Sequence, residues 1–473
     1  MSERPLNWRP GRKPADRARR IAFEVLCDVE MAGAYANIAL PKALSAARMN
    51  RQDASFATNL CYGTLRLSGR WDAILRHCMD RSDIDIPVRV LLRMGAHQLL
   101  ELRTPPHAAI NESVNLARAV VGSGASGFIN AVLRRVSERN IQQWQEQLVA
   151  DAGGKVNSVA FLSEWFSHPQ WIIRALASAL AAHGRSTRDL ISVLRAHNTP
   201  TDVALVARGI SREDLGRDIE RGRMHWHLGE LVDSAVILEG GDPGRIFAVQ
   251  DHLAGVQDEG SQLVARTFSS APIHPSRPDN RWLDMCAGPG GKAATLAASN
   301  PQVKIYANEI HEHRLRLVEK AVAPWSDSVV LRCGDGADIG QEQPEFFDRV
   351  LIDAPCTGIG ALRRRPESRW RKEAGDALDL TRTQLALLES GWQALAPGGL
   401  LGYCTCSPYG KETLDVMETF LAARPDAALV DARSYAQKQA LRPIVGSTPY
   451  LQLWPDLHGS DAMFLALVTK KVH

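Results

Sequence analysis

The sequence contains no uninterrupted apolar run of about 18 residues, so nothing in it reads as a membrane-spanning helix. Its first residues are polar and basic with no apolar segment behind them, which argues against a secretory signal. Eight cysteines, at positions 27, 61, 78, 286, 333, 356, 404 and 406, include no CxxC pair. At this length that excludes a disulfide scaffold and fits reduced thiols in a cytoplasmic protein. There is little net charge, +3 formally, so the placement of charge matters more than its sum. The spacing GxxxxGK[ST] of a phosphate-binding P-loop is missing, and the turn GPGGK (288–292) departs from a GxGxxG dinucleotide fingerprint at Pro289. What remains is ordinary globular composition, 45% hydrophobic and 23% charged over 473 residues, enough for about three domains.

Residues 1–14 are proline-interrupted and basic (Arg4, Arg9, Arg12, Lys13) and read as a flexible arm, either simply solvated or touching phosphates. From 15 to 145 the pattern is helical. Ile21, Val25 and Val29 recur at four-residue spacing, and Ile110, Val114, Ala117 and Val121 give a later stripe. Pro41, Pro87 and Pro105-Pro106 punctuate these helices. With no β-rich run, this is an all-α domain. Residues 140–160, with DAGGKVNS, read as a linker. Residues 160–250 read as a small connecting α/β module: a helical part with Trp165, Trp171, Ile172, Leu176 and Leu180 as core, then the short apolar runs VALVA, AVILE and RIFAV between turns. From 251 to 473 strands alternate with helices, which means βαβ units and a mostly parallel sheet.

In that last domain several strands end in chemistry. Trp282–Met285 leads into CAGPGGK (286–292), a glycine-rich turn opening a helix, where backbone can approach a ligand. The next strand ends at Glu309, where an acid can accept two hydrogen bonds from a ribose. A third is followed by Asp335. The run RVLIDAPCTG (349–358) ends a strand at Asp353 and puts Cys356 just beyond it. A fifth strand, 400–405, is followed by Cys406. Consecutive strands are often neighbours, so Cys356 and Cys406 are expected to face one pocket. A thiol is the most nucleophilic side chain near neutral pH. Cys404 alternates with Cys406 and is expected in the core. The cysteine spacing fits no familiar metal-ligand pattern, so no metal is expected. The stretch RRRPESRWRK (363–372) gathers Arg363, Arg364, Arg365, Arg369 and Arg371 about Trp370, a composition suited to an RNA backbone with a base stacked nearby.

Two resemblances follow from these motifs. RARRIAFEVL, QDASFATNLCYGTLR, LLRMGAHQLLEL, PPHAAINESVNLAR and GFINAVLRRV resemble, in order, the NusB antitermination-factor domain, an RNA-binding helical bundle. Asn111 and Glu112 in that run are expected to cap a helix start. LDMCAGPGGK, DAPCTG and YCTCSP together resemble the RNA cytosine-5 methyltransferases, of the small-subunit methyltransferase B type when joined to such a front. Cys404 departs from that pattern, where Ser or Ala often stands.

The resemblance implies a Rossmann-like methyltransferase domain, S-adenosyl-L-methionine as cofactor, and 16S ribosomal RNA or a small-subunit assembly intermediate as partner, with no obligate protein partner. It implies that Cys406 is the nucleophile, that Cys356 helps release product, and that Asp353 holds the cytosine edge. It implies that Cys286, Ala287, Gly288, Pro289, Gly290, Gly291, Glu309, Asp335 and Asp353 bind cofactor, and that Lys292 contacts the cofactor or Asp353. DNA cytosine-5 methyltransferases would make Cys356 the attacker. An amino methyltransferase would end the strand in DPPY, where this chain has DAPC. A nicotinamide dehydrogenase finds no support at GPGGK, and an RNA-binding factor with a dead methyltransferase fold is disfavoured by intact Asp353, Cys356 and Cys406.

Overall fold

The computed structural model describes residues 16–80 and 83–472, so the arm expected over residues 1–14 lies outside the described residues. The chain divides into two compact units: residues 1–174 with 364–371, and residues 175–363 with 372–473.

The described part of the first unit is helical: α1 Arg17–Met31, α2 Ala36–Ala46, α3 Arg51–Arg66, α4 Ser68–Arg76, α5 Ile86–Leu100, α6 Pro106–Val120, α7 Ser123–Ser137, α8 Ile141–Asp151 and α9 Val159–Trp165. Local signals explain the starts. Asp16 caps α1 by accepting from Arg19 N, and Asn50 caps α3 by accepting from Asp53 N. Proline opens α5 and α6, where its missing N–H is no loss. Ile21, Val25 and Val29 are buried, as their spacing predicts. Gly95 lets α5 close on α7, because a Cβ there would lie 2.6 Å from Leu133.

Three local expectations differ from the structure. Pro41 lies inside α2 and not between helices. The linker stretch holds α8, started by a reciprocal capping box of Asn140 and Gln143 and pinned by buried Trp144 and Leu148. The glycines that suggested a linker, Gly153 and Gly154, both have positive φ and only terminate that helix. Asn111 and Glu112 sit in mid-α6, whose N-cap is Pro105, so they cap nothing.

The second unit holds two sheets. Strands β1 Val203–Ala207, β2 Trp226–Leu228, β3 Ala235–Leu238 and β4 Ala254–Val256 pair antiparallel in the order β2-β3-β1-β4, so the connecting module continues past residue 250. The larger sheet contains β5 Arg281–Asp284, β6 Lys304–Glu309, β7 Val329–Cys333, β8 Phe347–Asp353, β9 Leu395–Thr405, β10 Ala427–Val430, β11 Leu451–Gln452 and β12 Phe464–Lys470. Its order is β10-β12-β9-β8-β5-β6-β7. The five strands β9 to β7 run parallel, and β12 is antiparallel to β9. Helices cover both faces, with Leu263, Phe268, Leu296 and Val318 in one core layer and Leu387, Trp392, Val416 and Phe420 in the other. This is why β8 reads as a nearly continuous apolar run and not as an alternating one. The strand order reverses between β5 and β8. In such sheets the crevice at the carboxyl ends of those strands is the natural ligand site.

Candidate active site

The glycine turn is built from β5 outward. Ala287 N donates to Asn308 O at 2.8 Å, and Arg314 donates to Gly288 O at 2.6 Å. Gly290 adopts φ +106°, and a Cβ there would lie 2.9 Å from the Val318 backbone. A Cβ on Gly288 would fall 2.1 Å from Glu309 Oε2, so only glycine leaves the end of β6 open beside the turn. Glu309 is buried. Its Oε1 accepts from His311 N at 3.0 Å, and its Oε2 lies 3.3 Å from Arg314. Asp335, exposed after β7, uses one oxygen to accept from Ala337 N.

At the strand reversal stands a more demanding group. Asp284, the last residue of β5, is buried, and neither carboxylate oxygen has a hydrogen-bond partner among the described residues. Burial, and then the nearby Asp353 charge, push its carboxyl up to about 7. Lys292 Nζ donates to Asp353 Oδ2 at 2.7 Å. Burial alone would lower the Lys292 ammonium, but Asp353 outweighs it and holds the group firmly charged. The Cys404 thiol points at Asp353 Oδ1, 3.4 Å away, and burial keeps it protonated. Cys404 is thus core, as its alternation predicts, yet it also touches the site. Cys286 is likewise held as a thiol by burial.

Cys356 and Cys406 come together from the ends of β8 and β9, with their sulfurs 3.5 Å apart. Their proton affinities move in opposite directions. The hydrogen bond between them lowers Cys406 and raises Cys356 well above a free thiol. Of the two thiols, Cys406 is the one whose ionisation the pairing favours. Gly358, at φ +70°, turns the chain after Cys356, and Gly360 N then donates to Cys406 O at 2.9 Å. Thr357 and Ser407 stand inside DAPCTG and YCTCSP but draw no attention beside the thiols they follow, and Glu412, buried behind the pair, lies outside both motifs.

The basic stretch is divided. Arg363 donates to Gly459 O at 2.5 Å. The segment 364–371 belongs to the first unit, and there Arg369 is fully buried and donates to Arg66 O at 2.6 Å and Ser167 O at 3.2 Å. Arg371 donates to Ala34 O at 2.5 Å and lies over the Tyr35 ring. Glu367 accepts from Ala36 N. Arg369 is therefore a structural bolt and not a phosphate contact, because desolvation commits its guanidinium to backbone carbonyls. Arg364 is half-buried, while Arg365 and Trp370 are exposed, Trp370 by 49%.

The residues present fit S-adenosylmethionine. The orphaned Asp284 oxygens and the Gly288–Glu309 cradle require donor groups, and that ligand offers ribose hydroxyls and an ammonium. Glu309 lies at the strand end where a ribose is expected.

Residues 273–469 match the family model described as 16S rRNA methyltransferase RsmB/F, and residues 16–138 match the NusB family. A putative methyltransferase of Mycobacterium tuberculosis is 40% identical over 476 residues, 98% of this chain and 99% of the relative. Ribosomal RNA small subunit methyltransferase B of Salmonella enteritidis is 30% identical over 436 residues, 89% of this chain and 91% of the relative. Among solved structures, PH0851 superposes on 97% of this chain and 100% of its own with a TM-score of 0.78 at 20% identity, a likeness of fold alone. No helix among the described residues is long and apolar enough to cross a membrane.

Proposed function

This chain belongs to the RsmB/F family of ribosomal RNA methyltransferases, and from that premise we propose that it methylates C5 of a cytosine in 16S ribosomal RNA through a covalent adduct at Cys406. It is an S-adenosylmethionine-dependent RNA methyltransferase, and the cofactor supplies an electrophilic methyl group when bound. C5 of cytosine is a poor nucleophile. The Cys406 thiolate adds to C6 of a base taken out of its stack, forming the S–C6 bond and moving the C5–C6 electron pair toward C5. C5 then takes the methyl group. That pair now bonds the methyl carbon; when a base removes the C5 proton, the C5–H pair restores the C5–C6 double bond, and the S–C6 pair leaves with sulfur as the Cys406 thiolate.

Cys356, 3.5 Å from Cys406, is the group placed to help release the product once C5 carries the methyl group. Asp353, oriented by Lys292, holds the cytosine edge. Residues 286–292, Glu309 and Asp335 hold the cofactor. Arg364, Arg365 and Trp370 contact RNA, together with the NusB-like unit and the basic arm.

The observation that carries this reading is the Cys356–Cys406 pair, sulfurs 3.5 Å apart, at the carboxyl ends of β8 and β9. Cys406→Ala should abolish methyl transfer to unmethylated 16S RNA. Cys356→Ala should accumulate an RNA–protein adduct that migrates slowly in a denaturing gel. If the two variants exchange these behaviours, the assignment of attacker and helper is wrong. Mapping 5-methylcytosine in ribosomal RNA from a deletion strain tests the 16S target, and a full complement of 5-methylcytosine there would exclude it.

A further inference from the structure

Glu412 takes no part in the chemistry above, yet it is fully buried behind the two thiols. It lies in the short turn Gly410–Glu412, just after β9. Its Oε1 accepts from Thr357 N at 2.6 Å. Its Oε2 accepts from Thr357 Oγ1 at 2.5 Å and from Ser407 Oγ at 2.6 Å. Tyr403, on β9, donates its hydroxyl to Glu412 O at 2.7 Å. Gln384 closes the cage from the helix Asp376–Ala394 and also donates to Pro355 O at 2.8 Å. Thr357 directly follows Cys356, and Ser407 directly follows Cys406. One carboxylate therefore grips the residue after each thiol.

We propose that Glu412 is a positioning residue that sets the distance between Cys356 and Cys406 by tying together the loops that carry them. The inference rests on the reading that these thiols form the reacting pair. Three donors from two loops converge on its carboxylate, and an acceptor-only side chain is what such a convergence requires. Gly360 N to Cys406 O, Ala354 N to Cys404 O and the 3.4 Å contact between Thr357 Oγ1 and Ser407 Oγ also join the two loops, and the Glu412 carboxylate adds three shorter hydrogen bonds to the residues that follow the thiols. The charges around the pair are few. Cys356 faces Cys406 and Glu412, while Cys406 faces Cys356, Asp353, Asp461 and Lys292. The Glu412 charge also favours the protonated forms of Cys356 and Tyr403, so grip and charge favour the same resting state.

The test uses phenylarsine oxide, which bridges two close thiols with loss of water and needs neither RNA nor cofactor. The intact chain should capture one equivalent, and Cys356→Ser should lose that capture. Glu412→Ala should slow capture about tenfold or more, because the support of the reacting groups is gone. Glu412→Gln should restore most of the rate, since an amide can still accept from Thr357 N and donate to both hydroxyls. Thr357→Val and Ser407→Ala each cut one tie and should slow capture less than Glu412→Ala, which keeps the question answerable if that variant fails to fold. Capture at the wild-type rate in Glu412→Ala, or in both single-tie variants, overturns the proposal. So does a Gln variant as slow as a folded Ala variant, which would make charge and not grip the relevant property. A wild-type chain that captures the arsenical but methylates no RNA refutes the proposed reaction and not the positioning.

Discussion

Asp284 offers the sharpest test of the cofactor crevice. Its carboxyl is buried, unpartnered and pushed up from 3.8 to about 7, by burial first and by Asp353 second. In the unfolded chain it ionises near 3.8. Between those values the folded protein binds more protons than the unfolded one, so stability falls as pH rises. The stabilising protonated form is fully present below about pH 4 and lost as pH passes 7. At 1.36 kcal/mol per pH unit the whole loss is about 4 kcal/mol. Asp284→Asn removes that titration. At pH 8 the variant without cofactor should therefore be more stable than wild type by up to about 4 kcal/mol, or roughly 8 °C in melting temperature at about 2 °C per kcal/mol. At pH 4 the two should melt together. Saturating S-adenosylmethionine should narrow that gap to about 1 kcal/mol, because a ligand at 100-fold its Kd adds about 2.7 kcal/mol to wild type, which binds it, and little to the variant. The assay is thermal melting of both proteins from pH 4 to 8, with and without S-adenosylmethionine. A constant gap between wild type and variant at every pH would refute the reasoning, since it would mean that Asp284 never carries a buried charge.

Other perturbations follow from the same geometry. Gly288→Ala drives a methyl into Glu309 and should weaken S-adenosylmethionine binding at least about tenfold by calorimetry, with little effect on RNA affinity. Cys406 should alkylate with iodoacetamide at lower pH than Cys356, and Cys356→Ala should move the Cys406 midpoint upward, because the hydrogen bond that lowers it is lost; an unmoved midpoint would count against the pairing. Arg369→Met strands the carbonyls of Arg66 and Ser167 and should destabilise the first unit by about 3 kcal/mol in denaturant. A variant of normal stability whose RNA affinity alone falls, with a shallower salt dependence, would return Arg369 to the RNA.

Much of the catalytic sheet was legible because its signals are local. Each strand that ends in an acid or precedes a cysteine carries a short apolar run; β5, β6, β7 and β8 fall where those runs predict, while β9 begins at Leu395, five residues before the expected 400–405. Strands β10 and β11 were not legible. They are short: β10 is the four residues AALV, only partly buried, and β11 is two residues. The two thiols could be expected at one edge from strand order. Their 3.5 Å separation could not, because it depends on Glu412, whose partners are backbone and hydroxyl groups from two loops. Arg369 shows the opposite error. Six cations in ten residues read as a solvated or RNA-facing surface, and nothing local distinguishes Arg369, whose guanidinium is fully buried against two carbonyls. Glycines at 153 and 154 misled in the same way, since a helix terminator and a flexible tether share a composition.

The assignment of residues 364–371 to the first unit has a consequence for biogenesis. A polypeptide leaves the ribosome in order, and roughly 190 residues separate the end of the helical segment from the strap that completes it. At about 5–20 residues per second, this gap is on the order of 10–40 s. For that interval the nascent helices must wait with the Arg66 and Ser167 carbonyls and the Gly69 face uncovered. A nascent chain arrested far enough beyond residue 174 for these helices to emerge, but before residue 364 is made, should be readily cut by protease in this unit. One arrested far enough beyond residue 371 for the strap to emerge should resist.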